Sequence, residues 1–244
     1  MVGVRRGLAG CLVGVVALLA ALDVGPAGWV VGLACAVVLA AAAAHLATVD
    51  GALALGPADL VTLTRAVLAC GVAGLVAEVL VGAEVGAPFV TLTVVALSLD
   101  LVDGKVARLT GTMSSYGGRI DGEADAFLIL VLSVLVAREQ GAWVLGMGLV
   151  RYAFAVATAL LPWMRRSLPP RYWRKVVTAC VGVALTVAAS GLAPPAVASA
   201  VVVVAALLLA ESFVRDVVWL WRHRVVNRTA AADVLPANVL EHGR

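Results

Sequence analysis

The sequence predicts an all-α, polytopic membrane bundle. Of its 244 residues, 63% are hydrophobic and only 14% are charged. Mean hydropathy is +1.05, more apolar surface than a soluble domain of this length needs. The apolar residues also gather into runs of about 20, the length that crosses a hydrocarbon core as helix. Together these observations exclude a soluble globular enzyme and a disordered chain.

Eight runs follow in order: Leu8–Leu22, Trp29–Leu46, Leu63–Val81, Pro88–Leu109, Ile120–Ala137, Trp143–Trp163, Val176–Leu192 and Ala196–Leu220. The first is short for a span and, behind Arg5 and Arg6, has the look of a secretory leader. A second apolar run follows directly and the cleavage signal is weak, so it reads as a membrane helix. Basic residues mark one side of the bundle: Arg5 and Arg6, then Arg65, then Lys105, Arg108 and Arg119. Arg165, Arg166, Arg171, Arg174 and Lys175 follow, and Arg222, Arg224 and Arg228 close the set. The alternate connections hold Asp23, Glu84, Glu139 and one basic residue, Arg138. By the positive-inside rule both termini and the 100–125 segment face the cytoplasm. Eight spans satisfy that parity, and so do six if the first two runs form a hairpin that does not cross. Cys11, Cys35, Cys70 and Cys180 are scattered through apolar segments and read as small hydrophobes. His45, His223 and His242 make no ligand cluster.

One polar stretch stands out, Asp100–Asp125, with the spacing D-x2-D-G-x2-A-R-x8-G-x3-D-x3-D. Asp100 and Asp103 are i and i+3 on one helix; Asp121 and Asp125 are i and i+4 on the next. Each pair therefore shares a face. Facing each other, they place four carboxylates in one pocket at the membrane edge, where such groups are costly and usually functional. Their repulsion calls for protonation or for divalent cations, and hard oxygen ligands suit magnesium, with manganese or calcium as substitutes.

This stretch resembles, at every specified position, the signature of the CDP-alcohol phosphotransferase family, membrane enzymes of phospholipid synthesis that displace CMP from a CDP-linked group. The resemblance implies a six-helix core over about residues 57–224, a two-helix extension at 1–56 with no assigned role, and a cytoplasmic tail at 225–244. It implies that Asp100, Asp103, Asp121 and Asp125 hold two ions, Mg2+ with Mn2+ as an alternative, and that Asp125 is the general base. Upstream, GPADLVTLTRAVLA is similar to the family's Pro-Asn-x-x-Thr-x-x-Arg stretch beside the nucleotide, with Thr62 and Arg65 at matching positions. Asp59 stands where relatives carry Asn, which leaves its role open. Gly104, Ala107, Arg108, Ser114 and Gly117 complete the implied donor contacts, glycine through close backbone approach and arginine through phosphate oxygens.

The implied reaction moves a phosphatidyl group from CDP-diacylglycerol to a small polar alcohol, phosphorylated or not. A CDP-choline or CDP-ethanolamine enzyme with diacylglycerol as acceptor shares the same signature. A cation transporter or membrane scaffold is the non-enzymatic alternative, but it has no use for Gly104, Ala107, Arg108 and Gly117 at these spacings. Acceptor contacts fall to Arg151, inside the sixth run, and Arg215, inside the eighth. Arg215 sits i+4 from Glu211, so a structural ion pair is an equal reading. The 165–175 basic cluster either draws a phosphorylated alcohol or only sets topology. Partners are then the CDP-linked lipid donor, the alcohol and membrane lipids, with no nucleic acid. Small residues along Ala34–Ala44 or Val176–Val187 suit a homodimer.

Overall fold

The computed structural model describes residues 2–110, 114–165, 168–169 and 172–224, and for residues 101–110 and 115 the backbone alone. Its described part contains eight α-helices: α1 Val4–Ala21, α2 Pro26–Asp50, α3 Pro57–Leu80, α4 Ala87–Thr110, α5 Ser115–Gln140, α6 Leu145–Leu160, α7 Tyr172–Ala189 and α8 Pro195–Arg222. Each apolar run falls on one of them. The run Trp143–Trp163 is the least regular. Short 3-10 turns at Ala142–Val144 and Pro162–Met164 flank α6, because Gly141 adopts φ 100 and Pro162 cannot continue a helix.

Boundaries follow local chemistry. Proline occupies the first turn of α2, α3 and α8, where its missing N–H costs nothing. Gly51 ends α2 in the left-handed region at φ 66, a conformation cheap only without a Cβ. Ser114 caps α5, its Oγ accepting from Gly117 N at 2.8 Å. One two-residue ribbon, Val2–Gly3 with Ala54–Leu55, ties the chain start to the entry of α3.

Six helices are long and apolar enough to cross a membrane by length and composition: α1, α2, α3, the segment Ala142–Leu160, α7 and α8. The chain is an integral membrane protein. Helices α4 and α5 are 24 and 26 residues long, and each combines an apolar segment with an acidic end. Those acidic ends meet.

Helices α3 and α5 are the centre of the bundle. Val72, Val76, Leu128, Leu132, Val136, Val177, Val181, Leu185 and Val202 form one buried cluster from α3, α5, α7 and α8. The α1–α2 pair packs on α3 through Val15, Leu19, Ala36 and Cys70. It reaches the start of α5 through Ala43, Ala47, Leu63, Tyr116 and Ile120. Lipid offers no hydrophobic drive between helices, so small residues that let backbones approach matter. A Cβ on Gly28 would stand 3.0 Å from Gly74 O, and Gly28 N donates to Glu78 Oε1 at 2.5 Å. Glu78 thus supplies the acceptor that the first turn of α2 lacks.

The α5–α6 crossing is equally tight. A Cβ on Gly148 would lie 2.6 Å from Leu130 Cα, which is backbone and cannot swing away. Gly148→Ala is therefore expected to lower stability by about 1–3 kcal/mol. A thermal melt in detergent checks this, and an unchanged midpoint would contradict the crossing.

Candidate metal centre and adjoining cavity

Three helices bring their polar ends together. Arg65 projects from α3, Asp100 from α4, and Asp121 and Asp125 from successive turns of α5. Arg65 is 1% exposed. Its Nη1 lies 2.5 Å from Asp100 Oδ1, and its Nη2 lies 2.5 Å from Asp121 Oδ1 and 3.0 Å from Asp125 Oδ1. Nη2 also donates to the Asp121 carbonyl at 3.2 Å. One guanidinium therefore gathers three carboxylates, which its planar fork of donors can do and a lysine cannot.

One oxygen from each of Asp100, Asp121 and Asp125 lies within 4.8 Å of the other two. Asp121 and Asp125, one turn apart on α5, meet Asp100 of α4 around the guanidinium of Arg65. The side chains of Asp103, Gly104, Ala107 and Arg108 lie outside the described residues, although α4 runs through all four positions. Formally, three carboxylates against Arg65 leave an excess of negative charge. Lys175 of α7 answers part of it, with Nζ 3.8 Å from Asp121 Oδ2. An all-carboxylate donor set of this kind fits a hard divalent cation.

The upstream stretch has a defined architecture. Asp59 is 5% exposed, and its Oδ2 accepts from Gly56 N at 2.8 Å, closing the first turn of α3. Its other oxygen faces Gly117, where any Cβ would collide with it. A side chain at 117 would therefore have to displace the Asp59 carboxylate, and the acidic residue at this position is a helix cap. Thr62 is buried and donates to Ala58 O at 3.2 Å. Ser114 uses an oxygen lone pair for the α5 cap and is exposed. Arg119 pairs with Asp50 at 3.4 Å, joining the end of α2 to the start of α5.

Beside the aspartates lies an open cavity of about 330 Å³ lined by α5, α6, α7 and α8. Asp125 stands on its wall, with Arg151, Arg174, Thr178, Ser212 and Asp216, over an apolar remainder that includes Ile129, Met147 and Leu209. Arg151 binds Glu123 Oε1 at 2.7 Å. Arg174 Nε lies 3.5 Å from Asp216 Oδ2, and its guanidinium also donates to Pro169 O. Arg215 has another place. Its side chain is 57% exposed and paired with Glu211, which in turn accepts from Trp173 Nε1 at 3.0 Å.

Of the sequence candidates, the fold thus gathers Arg65, Asp100, Asp121 and Asp125, and sets Arg151 on the adjoining wall. Arg174, Lys175 and Asp216 are residues that sequence reasoning did not select. Arg174 and Lys175 entered only as members of the 165–175 basic cluster, read either as a draw for a phosphorylated alcohol or as a topology signal. Asp216 had a signal, an acid inside an apolar helix.

A family model described as CDP-alcohol phosphatidyltransferase matches residues 55–213, which takes in α3 through most of α8. The chain belongs to the CDP-alcohol phosphatidyltransferase family. No curated protein and no solved structure matches the chain. The family match begins at Leu55, so α1 and α2 precede it. A member of this family is a transferase of phospholipid biosynthesis that acts on CDP-alcohols in a membrane. Divalent metal use is known for the family, and a triad of aspartates is present in this chain.

Proposed function

We propose that the protein transfers a phosphatidyl group from CDP-diacylglycerol to a small polar alcohol and releases CMP. The observation that carries this reading is the single polar centre in which Asp125 borders both the aspartate cluster and the cavity. A donor diphosphate at the carboxylates and an alcohol in the cavity then meet at Asp125.

Asp100, Asp103, Asp121 and Asp125 are the proposed ligands of Mg2+, or of Mn2+ in its place, two ions in all. When bound, such cations neutralise the diphosphate and stabilise the leaving phosphate. Arg65 holds the aspartates in register. Asp125 takes the proton of the alcohol as its oxygen attacks the phosphorus that carries diacylglycerol. That phosphorus–oxygen bond forms, the bond to the CMP oxygen breaks, and CMP departs with its own phosphate. An alcohol's pKa lies far above 7, so Asp125 works by position beside a cation more than by its own basicity. Gly104, Ala107, Arg108 and Ser114 belong on the donor side in this reading, with Thr62 and Gly117 shaping that wall. The proposed division of the chain is an extension at 1–56, a catalytic core at 57–224 and a tail at 225–244. Both termini and the site face the cytoplasm of the cell membrane, as the basic clusters direct.

CMP release by purified protein tests this directly. With CDP-diacylglycerol, Mg2+ and one suitable alcohol, CMP is expected to appear in step with new phospholipid and to stop on addition of EDTA. Turnover that EDTA leaves undiminished would exclude the metal mechanism. Turnover of CDP-choline or CDP-ethanolamine with diacylglycerol, and none of CDP-diacylglycerol, would transfer the assignment to the other donor class.

A further inference from the structure

The two helices that precede the family-matched residues border the site. Resting on the reaction proposed above, we infer that α1 and α2 supply one wall of a slot that binds an acyl chain of the CDP-linked lipid donor. The juxtaposition that carries this is a narrow apolar slot sharing one turn of α5 with the aspartate cluster.

Four helices line the slot. From α1 come Cys11 and Val15, and from α2 come Ala36, Ala40, Ala43 and Leu46. Leu63 and Ala66 of α3 flank Arg65, and Ile120 and Ala124 of α5 flank Asp121. Helices α3 and α5 thus turn one face to the polar centre and the next to the slot. Among the described lining residues, Glu123 alone brings a polar side-chain atom, apart from the thiols of Cys11 and Cys70. Its carboxylate is held by Arg151 at 2.7 Å, and Arg151 lines the polar cavity together with Asp125. The slot and the cavity therefore meet at the Glu123–Arg151 pair.

Depth and width fit one hydrocarbon chain. Along α2 the lining runs from Leu46, one turn before the charged end at Asp50, to Ala36. That is about 15 Å at ~1.5 Å per residue. It is half of the ~30 Å hydrocarbon core, and so the reach of one leaflet. The slot holds about 40 Å³, against about 330 Å³ for the cavity. A water-sized sphere needs about 10–15 Å³, so about three methylene groups seat below the rim at once. The rest of a chain lies along Leu39, Ala40 and Ala42, which are partly buried. A headgroup has neither room nor polar partners there. Within lipid, seating a chain gains little from the hydrophobic effect, and preference comes from close contact with small side chains.

The test uses the full-length protein and CDP-diacylglycerol carrying a diazirine midway along one acyl chain, irradiated with Mg2+ present. Label is expected within 8–15 and 36–46, the stretches of α1 and α2 that line the slot. Unlabelled CDP-diacylglycerol should reduce it at least tenfold, and phosphatidylcholine should not compete. Equal competition by phosphatidylcholine would mean that bulk lipid fills the slot, and label confined to α6–α8 would place the chain elsewhere. Either result overturns the inference. Ala40→Phe and Ala43→Phe narrow the slot from α2. Each is expected to lower the ratio of kcat/KM for a dipalmitoyl over a dihexanoyl donor about tenfold from its wild-type value. A ratio that neither variant moves would also overturn the inference. The wild-type labelling decides the question if neither variant folds. CMP release without label in α1 or α2 would overturn the slot and leave the phosphatidyl-transfer reading standing. No CMP release with any alcohol, together with no label that CDP-diacylglycerol displaces, would overturn that reading as well.

Discussion

Asp125→Asn is expected to lower CMP release by about 10²–10⁴-fold, the range a positioned general base contributes, while donor binding persists. The reason is positional. Asp125 alone among the three gathered aspartates lies on the cavity wall, so it is the carboxylate that an alcohol held there meets. Asparagine keeps the shape and one oxygen, and it loses the capacity to accept the proton. Asp100→Asn is the informative contrast. Asp100 comes from α4 and contributes to the cluster from the far side of Arg65. Its loss should weaken cation binding and donor binding together. Measured side by side, the two variants separate proton transfer from metal retention, through CMP release on one hand and Mn2+ and donor binding on the other. Normal turnover by Asp125→Asn would remove the base assignment.

The second large effect concerns Arg65. This side chain is nearly sealed from solvent and touches Asp100, Asp121 and Asp125. Removing one partner of a buried ionic group typically costs about 3–5 kcal/mol, because the remaining charge is left uncompensated. Arg65→Gln should therefore destabilise the metal-free protein by about that amount. The sign of the cation effect then follows. Three carboxylates without their guanidinium repel one another, so Mg2+ or Mn2+ should raise the melting temperature of Arg65→Gln more than that of the wild type. Arg65→Lys should recover only part of the loss, since one ammonium cannot span three carboxylates with fixed geometry. Equal melting temperatures for wild type and Arg65→Gln in EDTA would show that Arg65 does not organise the cluster.

Much of this was legible from residue order. The eight apolar runs determined an all-α membrane bundle, because lipid leaves the backbone no option but helix or closed barrel and these runs lack strand alternation. The spacing of Asp100 to Asp125 determined that paired carboxylates share helix faces, since a 3.6-residue period admits no other arrangement. Family membership was carried by the same stretch. Chain order did not reveal what Arg65 does. From its position it reads as a donor contact or a lipid anchor, and only the packing of α3 between α4 and α5 puts it beneath three aspartates separated from it by 35 to 60 residues or so. Nor did it separate Arg151 from Arg215, both single cations inside apolar helices. Helix rotation decided that, turning Arg151 to the cavity and Arg215 to the exposed side of α8. Asp59 and Gly117 lie 58 positions apart, and their steric dependence exists only where the start of α3 meets the start of α5. Local spacing determines what a helix presents on each face. Which faces meet is set by packing between helices distant in sequence, and here that packing made a site out of scattered charges.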